Sequence, residues 1–349
     1  MSGEAAPLVS VVIPAFNSAQ WIERTLASAQ QQTCSDLEII VVDDGSTDGT
    51  ASIVERKAQV DPRIQLIRQR NSGASSARNT GIACSCGAFL APLDADDLWH
   101  PTKLQRQLDC FASASPRTGV VYCYFASIDE ADDVIFPRRI YHAPTGHILP
   151  QMTIANVVGN GSSPLIRRED LVRVGNYDEA FKDGCEDHDL YLRLAEQCHY
   201  GLVPEFLVGY RRSRGSLSMN ILRNERAIAQ VTAAIVSRHP HLPRRLLRWR
   251  DGNMYRYLAL HARMGLDQRR SLVLSTRSVL SDPMLLCNWV VTRAGGRRRG
   301  DVGVEPSRRV NFYDVDPRPG PDERFEQTAL DARRTRAIAL MRFERTTAS

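Results

Sequence analysis

From Leu8 to Phe111 the chain returns again and again to one pattern, a short apolar, β-branched run followed by a stretch with helical spacing. Leu8–Pro14, Leu37–Val42, Arg63–Arg68 and Ala88–Leu93 read as strands. The helices expected between and after them are one through Ile22, Leu26 and Ala29, then Thr50–Val60, Gly73–Cys84 and Pro101–Phe111. Strand and helix units of this length predict an α/β fold, a mostly parallel sheet with helices on both faces. Open sheets of that kind bind ligands outside the carboxyl ends of their strands. Here those ends carry Pro14-Ala15-Phe16, Asp43-Asp44-Gly45-Ser46 and Asp94-Ala95-Asp96-Asp97, so three strand exits share one rim and two of them are acidic.

Crowded carboxylates raise one another's pKa, so a site that keeps them together supplies a cation or stays open to water. If the segment is extended, Asp94 and Asp96 point the same way and suit one hard divalent cation such as Mg²⁺ or Mn²⁺. The plainer alternative is that Asp96 or Asp97 caps the helix that follows. Asp44 to Asp48 with Gly49 and Glu55 mimics an EF-hand loop, but that loop joins two helices whereas this one leaves a strand. Capping of the next helix by Ser46 or Asp48 is expected instead. No G-x-G-x-x-G or G-x-x-x-x-G-K-[ST] loop occurs, which disfavours dinucleotide dehydrogenases and P-loop ATPases.

Further on, Glu186-Asp187-His188-Asp189 opens a helix whose apolar stripe is Leu190, Tyr191, Leu194 and Ala195. Asp187 falls on that inward face, as a capping charge or a working base, while Asp189 and Arg193 are expected to pair on the outer side. Arg78 would be either a solvated helix arginine or a guanidinium turned to the rim. The eight histidines do not cluster, and the eight cysteines show no C-x-x-C pair, which predicts free thiols in a reducing compartment.

Charge divides the chain. Residues 1–205 carry a net −10 and residues 206–349 a net +15. Ala227–Ser237, Leu246–Met264, Arg270–Leu280 and Pro283–Val291 read as amphipathic helices with arginine on the wet side, and 295–321 as a flexible linker before a last helix near 322–345. Three segments are therefore expected: 1–218, 219–294 and 295–349. No apolar run approaches the roughly 20 residues that cross a bilayer, and Met1–Ala6 lacks a basic region followed by an apolar one, so a cytoplasmic protein is expected. The basic second part could face an anionic membrane; without interleaved aromatics or a binding module, nucleic acid is not expected as a partner.

Taken in order across residues 8–218, the segments resemble a family 2 inverting glycosyltransferase of GT-A fold. The resemblance rests on Val9–Asn17, Val42–Asp48, Gly73–Gly81, Leu93–Asp97, Gly175–Phe181, Glu186–Arg193 and Tyr210-Arg211. It implies that Pro14, Phe16 and Asp44 line a nucleotide-base pocket, with Asp44 accepting a base N–H, and that Arg78 lies near the diphosphate. It also implies that Asp96, helped by Asp94, binds a divalent metal, Mn²⁺ or Mg²⁺, and that Asp187 is the catalytic base. The donor is then a nucleotide sugar, a UDP-sugar being the first expectation. The acceptor is a hydroxyl of a glycan or lipid-linked chain in polysaccharide biosynthesis, and the enzyme sits in the cytoplasm or at the inner membrane face. Where the family often has a histidine two positions after Tyr210-Arg211, this chain has Ser213 between Arg212 and Arg214, so those arginines stand in as candidate diphosphate partners. The alternative is a sugar-nucleotide-forming nucleotidyltransferase, which should carry a glycine-rich, lysine-bearing loop after the first strand; Pro14–Ser18 offers neither glycine nor lysine.

Overall fold

A computed structural model describes residues 7–135, 143–212, 220–265, 267–285 and 310–319. Its centre is an eight-stranded mixed sheet. Strands β1 (Val9–Ala15), β2 (Leu37–Asp43), β3 (Ile64–Arg68) and β4 (Phe89–Pro92) form its parallel half, in the order β3-β2-β1-β4. The other half adds β5 (Leu98–Trp99), β6 (Thr118–Ile128), β7 (Leu165–Arg167) and β8 (His199–Arg211), in the order β7-β6-β8-β5. β7 runs antiparallel to both β4 and β6, whereas β6 and β8 are parallel.

Register explains why the strand exits meet. Ala15 lies opposite Asp43, Asp43 opposite Arg68, and Val12 opposite Pro92, so the ends of β1, β2 and β4 reach the same edge together. The largely apolar text of β1 and β2, broken by Ser10, Glu38 and Asp43, follows from burial on both faces. On one face Val11, Ile13, Ile39 and Val41 pack with Ile22 and Leu26 of α1 (Ile22–Gln30), Val54 of α2 (Thr50–Val60), and Leu104 and Phe111 of α4 (Lys103–Ser113). α3 (Ala74–Cys84) packs on β1 and β2, and Gly81 permits it, since a Cβ there would lie 2.5 Å from Val12 Cγ1.

On the other face Val12, Leu90, Val120, Tyr122 and Ile166 pack with Met152 of α5 (Leu149–Ile154), Leu171 of α6 (Arg168–Arg173) and Leu190, Tyr191 and Leu194 of α7 (Glu186–Gln197). The same cluster takes in Val231 and Ile235 of α8 (Ile221–Arg238) and Leu246 and Trp249 of α9 (Arg244–Met264). The basic helices are thus built into the core at one end. Their far end, with α10 (Gln268–Ser281), has a small cluster of its own around Leu258, Ala262 and Leu274.

Two expectations need correcting here. Asp189 is buried rather than on an outer side, because α8 covers it. It still pairs with Arg193 at 2.8 Å and also accepts from Arg238 at 3.1 Å. The linker expected over 295–321 is docked in its 310–319 part: Phe312 is 2% exposed, packed with Leu98, Tyr124, Ile128 and Phe206. Val134 N–H donates to Val310 O, and Phe206 N–H to Pro317 O. One large aromatic ring finding a pocket outweighs the surrounding proline and charge. The expected helix Pro283–Val291 beyond Leu285, the last helix near 322–345, and Ser213 and Arg214 lie outside the described residues. All seven cysteines among the described residues are free thiols.

Candidate active site

The rim is laced before any ligand is considered. Asn17, at φ 49°, donates its N–H to Ser46 Oγ, and its Oδ1 accepts from Thr47 N, which ties the exit of β1 to that of β2. The N-cap of α2 is Gly49; Asp48, just before it, accepts from Thr50 N at 2.9 Å and also from Ala19 N. Asp44 is buried, its carboxylate accepting from Gln69 Nε2, Ser72 N and Gly73 N at 2.8 to 2.9 Å, so it shapes the loop that leads into α3. Pro14 is half-buried and the ring of Phe16 is 50% exposed on the same edge.

The acidic exit of β4 is a turn, not the extended segment expected: Asp97 N–H donates to Asp94 O at 3.1 Å. The chain must reverse there to begin β5. Within the turn the three acids have separate surroundings. Asp97 is fully buried and braces the site, accepting from Ser162 Oγ at 2.6 Å and from Arg211 N at 3.0 Å. Burial first, then Asp96 and Asp94, push its pKa well up. Asp96 is partly buried, and burial followed by the charge of Asp94 raises it to about 6. Asp94 points to Arg78 and lies over Gly161, where a Cβ would come within 2.9 Å of its Oδ2.

Arg78 is the link between this turn and α7. Buried in α3, it donates from one terminal nitrogen to Asp94 Oδ1 at 2.6 Å and from the other to Glu186 Oε1 at 2.7 Å, with Tyr177 stacked 5.2 Å from its guanidinium. Burial alone would lower its pKa, but the two carboxylates outweigh that and hold it well above the ordinary value. Both terminal nitrogens therefore face protein acids rather than open rim. Glu186, in the first turn of α7, is the participant that reading the sequence missed; the signal was its place next to Asp187.

Asp187 sits beside it at the head of α7, entered through Cys185 at φ 62°. It accepts from His188 N at 2.7 Å and from Asn156 Nδ2 at 3.2 Å. Burial first, then the neighbouring Glu186, raises it to about 7, against the lowering pull of Arg78. A carboxylate poised near neutrality beside a cleft is what a general base requires. The cleft next to it is lined by Tyr124, Phe125, Asn156 and Gly159.

Arg211, expected only as part of a motif, is a buried strut: its side chain donates to Asp96 O, Asp129 O and Asp132 at 2.5 to 2.7 Å and lies 4.3 Å from the ring of Trp21. Arg212 reaches Ser127 Oγ and Tyr210. Among the described residues no group of three or more His, Cys, Asp or Glu side chains is placed to hold a metal. A hard cation such as Mg²⁺ or Mn²⁺ takes one or two carboxylates and completes its shell with water and phosphate oxygens, so fewer than three acids suffice for it.

A GT-A α/β fold with an acidic strand-end turn and a buried carboxylate, Asp187, at the head of a helix defines a class of protein, and comparisons with known proteins agree with it. The model of glycosyl transferase family 2 matches residues 10–175, and the chain belongs to that family. It is 33% identical over 193 residues to chondroitin synthase of Escherichia coli, covering 54% of this chain and 27% of that protein. An uncharacterised glycosyltransferase of Haemophilus influenzae is 40% identical over 220 residues, 60% of this chain and 66% of the relative. The matches thus span between about a quarter and two thirds of these relatives' own length. The same fold is seen in a mannosyltransferase from Pyrobaculum calidifontis solved with GDP-Man and Mn²⁺, at TM-score 0.55 and 20% identity over 83% of this chain and 85% of the other. It is seen again in S. aureus TarS 1–349 with UDP-GlcNAc, at TM-score 0.52 and 15% identity over 77% and 90%.

Proposed function

We propose that this chain transfers a sugar from a nucleoside-diphosphate donor to a hydroxyl of a glycan or lipid-linked acceptor, with inversion at the anomeric carbon, in the making of a polysaccharide. The observation that carries the reading is the chain of contacts Asp94–Arg78–Glu186, which sets an acidic turn at the strand ends beside Asp187 at the head of α7. The donors in the mannosyltransferase and TarS structures support a nucleotide sugar, and a UDP-sugar remains the first donor to try. In this reading Phe16 and Pro14 face the base, and Asp44 keeps the loop that closes over it in shape.

Asp96 with Asp94 would hold a divalent cation. Bound there, it supplies charge to the leaving diphosphate. Asp187 takes the proton of the acceptor hydroxyl as that oxygen attacks the face opposite the leaving group, so one displacement inverts the configuration. Asn156 holds one oxygen of Asp187, and the backbone of His188 holds the other. The proposed division is a catalytic part over 1–218, basic helices over 219–294 and a tail over 295–349, working on the cytoplasmic side.

Calorimetry tests it. Titration with UDP, GDP and dTDP, with and without Mn²⁺, should show one nucleotide binding only with the metal, and Asp96→Ala should abolish that binding. Metal-independent binding of equal strength in both proteins would remove the metal from the mechanism, and no binding at all would defeat the reading.

A further inference from the structure

α10 rests on α9 through Leu274 and Ser278; Ser278 Oγ donates to Gly252 O at 2.7 Å and Ser271 Oγ to Ala259 O at 3.0 Å. With about 100° between successive residues of a helix, the side turned away carries Arg269, Leu272, Val273, Thr276 and Leu280. Leu272 and Leu280 are each 70% exposed and Val273 is 52% exposed. On α9, Leu260 and Tyr257 are exposed as well, beside exposed Arg256 and Arg263. Single exposed leucines are ordinary, but three large apolar side chains on one side of a helix, set among arginines, match a helix lying in the interface of a bilayer.

Charge decides what covers this face. The acids nearby are engaged within the protein: Asp267 caps α10 by accepting from Arg270 N, and Glu225 pairs with Arg270 at 3.0 Å. A second copy would set arginine against arginine, whereas a surface of lipid phosphates complements them. Among the described residues no helix is long and apolar enough to cross a membrane, so contact would be lateral.

We propose that the outward face of α10 docks on an anionic lipid surface, Leu272, Val273 and Leu280 entering the boundary between headgroups and acyl chains while Arg269 meets phosphate. The proposal stands apart from the identity of the donor. It is tested by sedimenting the full chain with vesicles of phosphatidylcholine alone and of phosphatidylcholine mixed with phosphatidylglycerol. The protein should pellet with the mixed vesicles and much less with the neutral ones. Leu272→Asp with Leu280→Asp should lower partitioning by about tenfold or more, and Arg269→Glu should weaken it further at low salt. Both leucines are on the wet side, so an unchanged thermal midpoint will show that the fold is kept. Wild-type protein left in the supernatant, or a double variant that pellets like wild type, would overturn the proposal. So would light scattering that shows a dimer dispersed by the same two substitutions.

Discussion

Both terminal nitrogens of Arg78 are held by carboxylates, Asp94 on one side and Glu186 on the other, at 2.6 and 2.7 Å. A planar, permanently charged fork can satisfy two acids at once, which a lysine ammonium at the same place does less well. Removing it would leave the two acids facing each other in a mostly buried site. We expect Arg78→Met to cost about 3–5 kcal/mol of folding stability, the range for breaking a buried pair by deleting one partner. A denaturant midpoint indistinguishable from wild type would show the pairing to be idle. Reading the residue types singled out this arginine but left it between a solvated helix position and the rim; the family resemblance set it near the diphosphate. Neither could find the second partner, since nothing in a helix beginning at Ala74 tells which carboxylate, more than 100 residues later, will reach it.

α7 joins the apolar stripe that docks it to a first turn of three acids, Glu186, Asp187 and Asp189, with different surroundings. Asp189 neutralises arginines beneath α8, Glu186 meets Arg78, and Asp187 is left with an amide and a backbone N–H. Because burial holds Asp187 near pH 7, its protonated, inactive form grows as the pH falls through that value. Turnover should therefore decline about tenfold for each pH unit below that point, and Asp187→Asn should cost about 10²–10⁴-fold above pH 7, a gap that narrows as the pH falls. A profile flat from pH 5 to 8 in the wild type would remove Asp187 as the base. At this scale the strand and helix alternation was legible, β1 to β4 and α1 to α4 falling within a few residues of where apolar spacing puts them. The outward placing of Asp189 failed because helical spacing identifies a face without saying what packs over it. The extended reading of Asp94–Asp97 failed because a two-residue strand following at once, Leu98–Trp99, forces a turn that local composition does not announce.

Across the whole molecule, the acidic and basic parts foretold by charge are not separate bodies, since α8 and the start of α9 share the core with α7. The tail repeats the lesson: Phe312 returns to fill a pocket between Leu98, Tyr124 and Phe206 on the catalytic part. A chain cut after residue 294 should lose about 3–5 kcal/mol, the usual cost of emptying a buried phenylalanine site, although the nominal catalytic region is intact. A midpoint unchanged on truncation would show the plug to be dispensable. The same closure bears on how the protein is made. Leu98 and Tyr124 leave the ribosome 214 and 188 residues ahead of the ring that covers them. Until residue 312 has been made, that pocket is an open apolar surface and a natural place for a chaperone to hold the nascent chain.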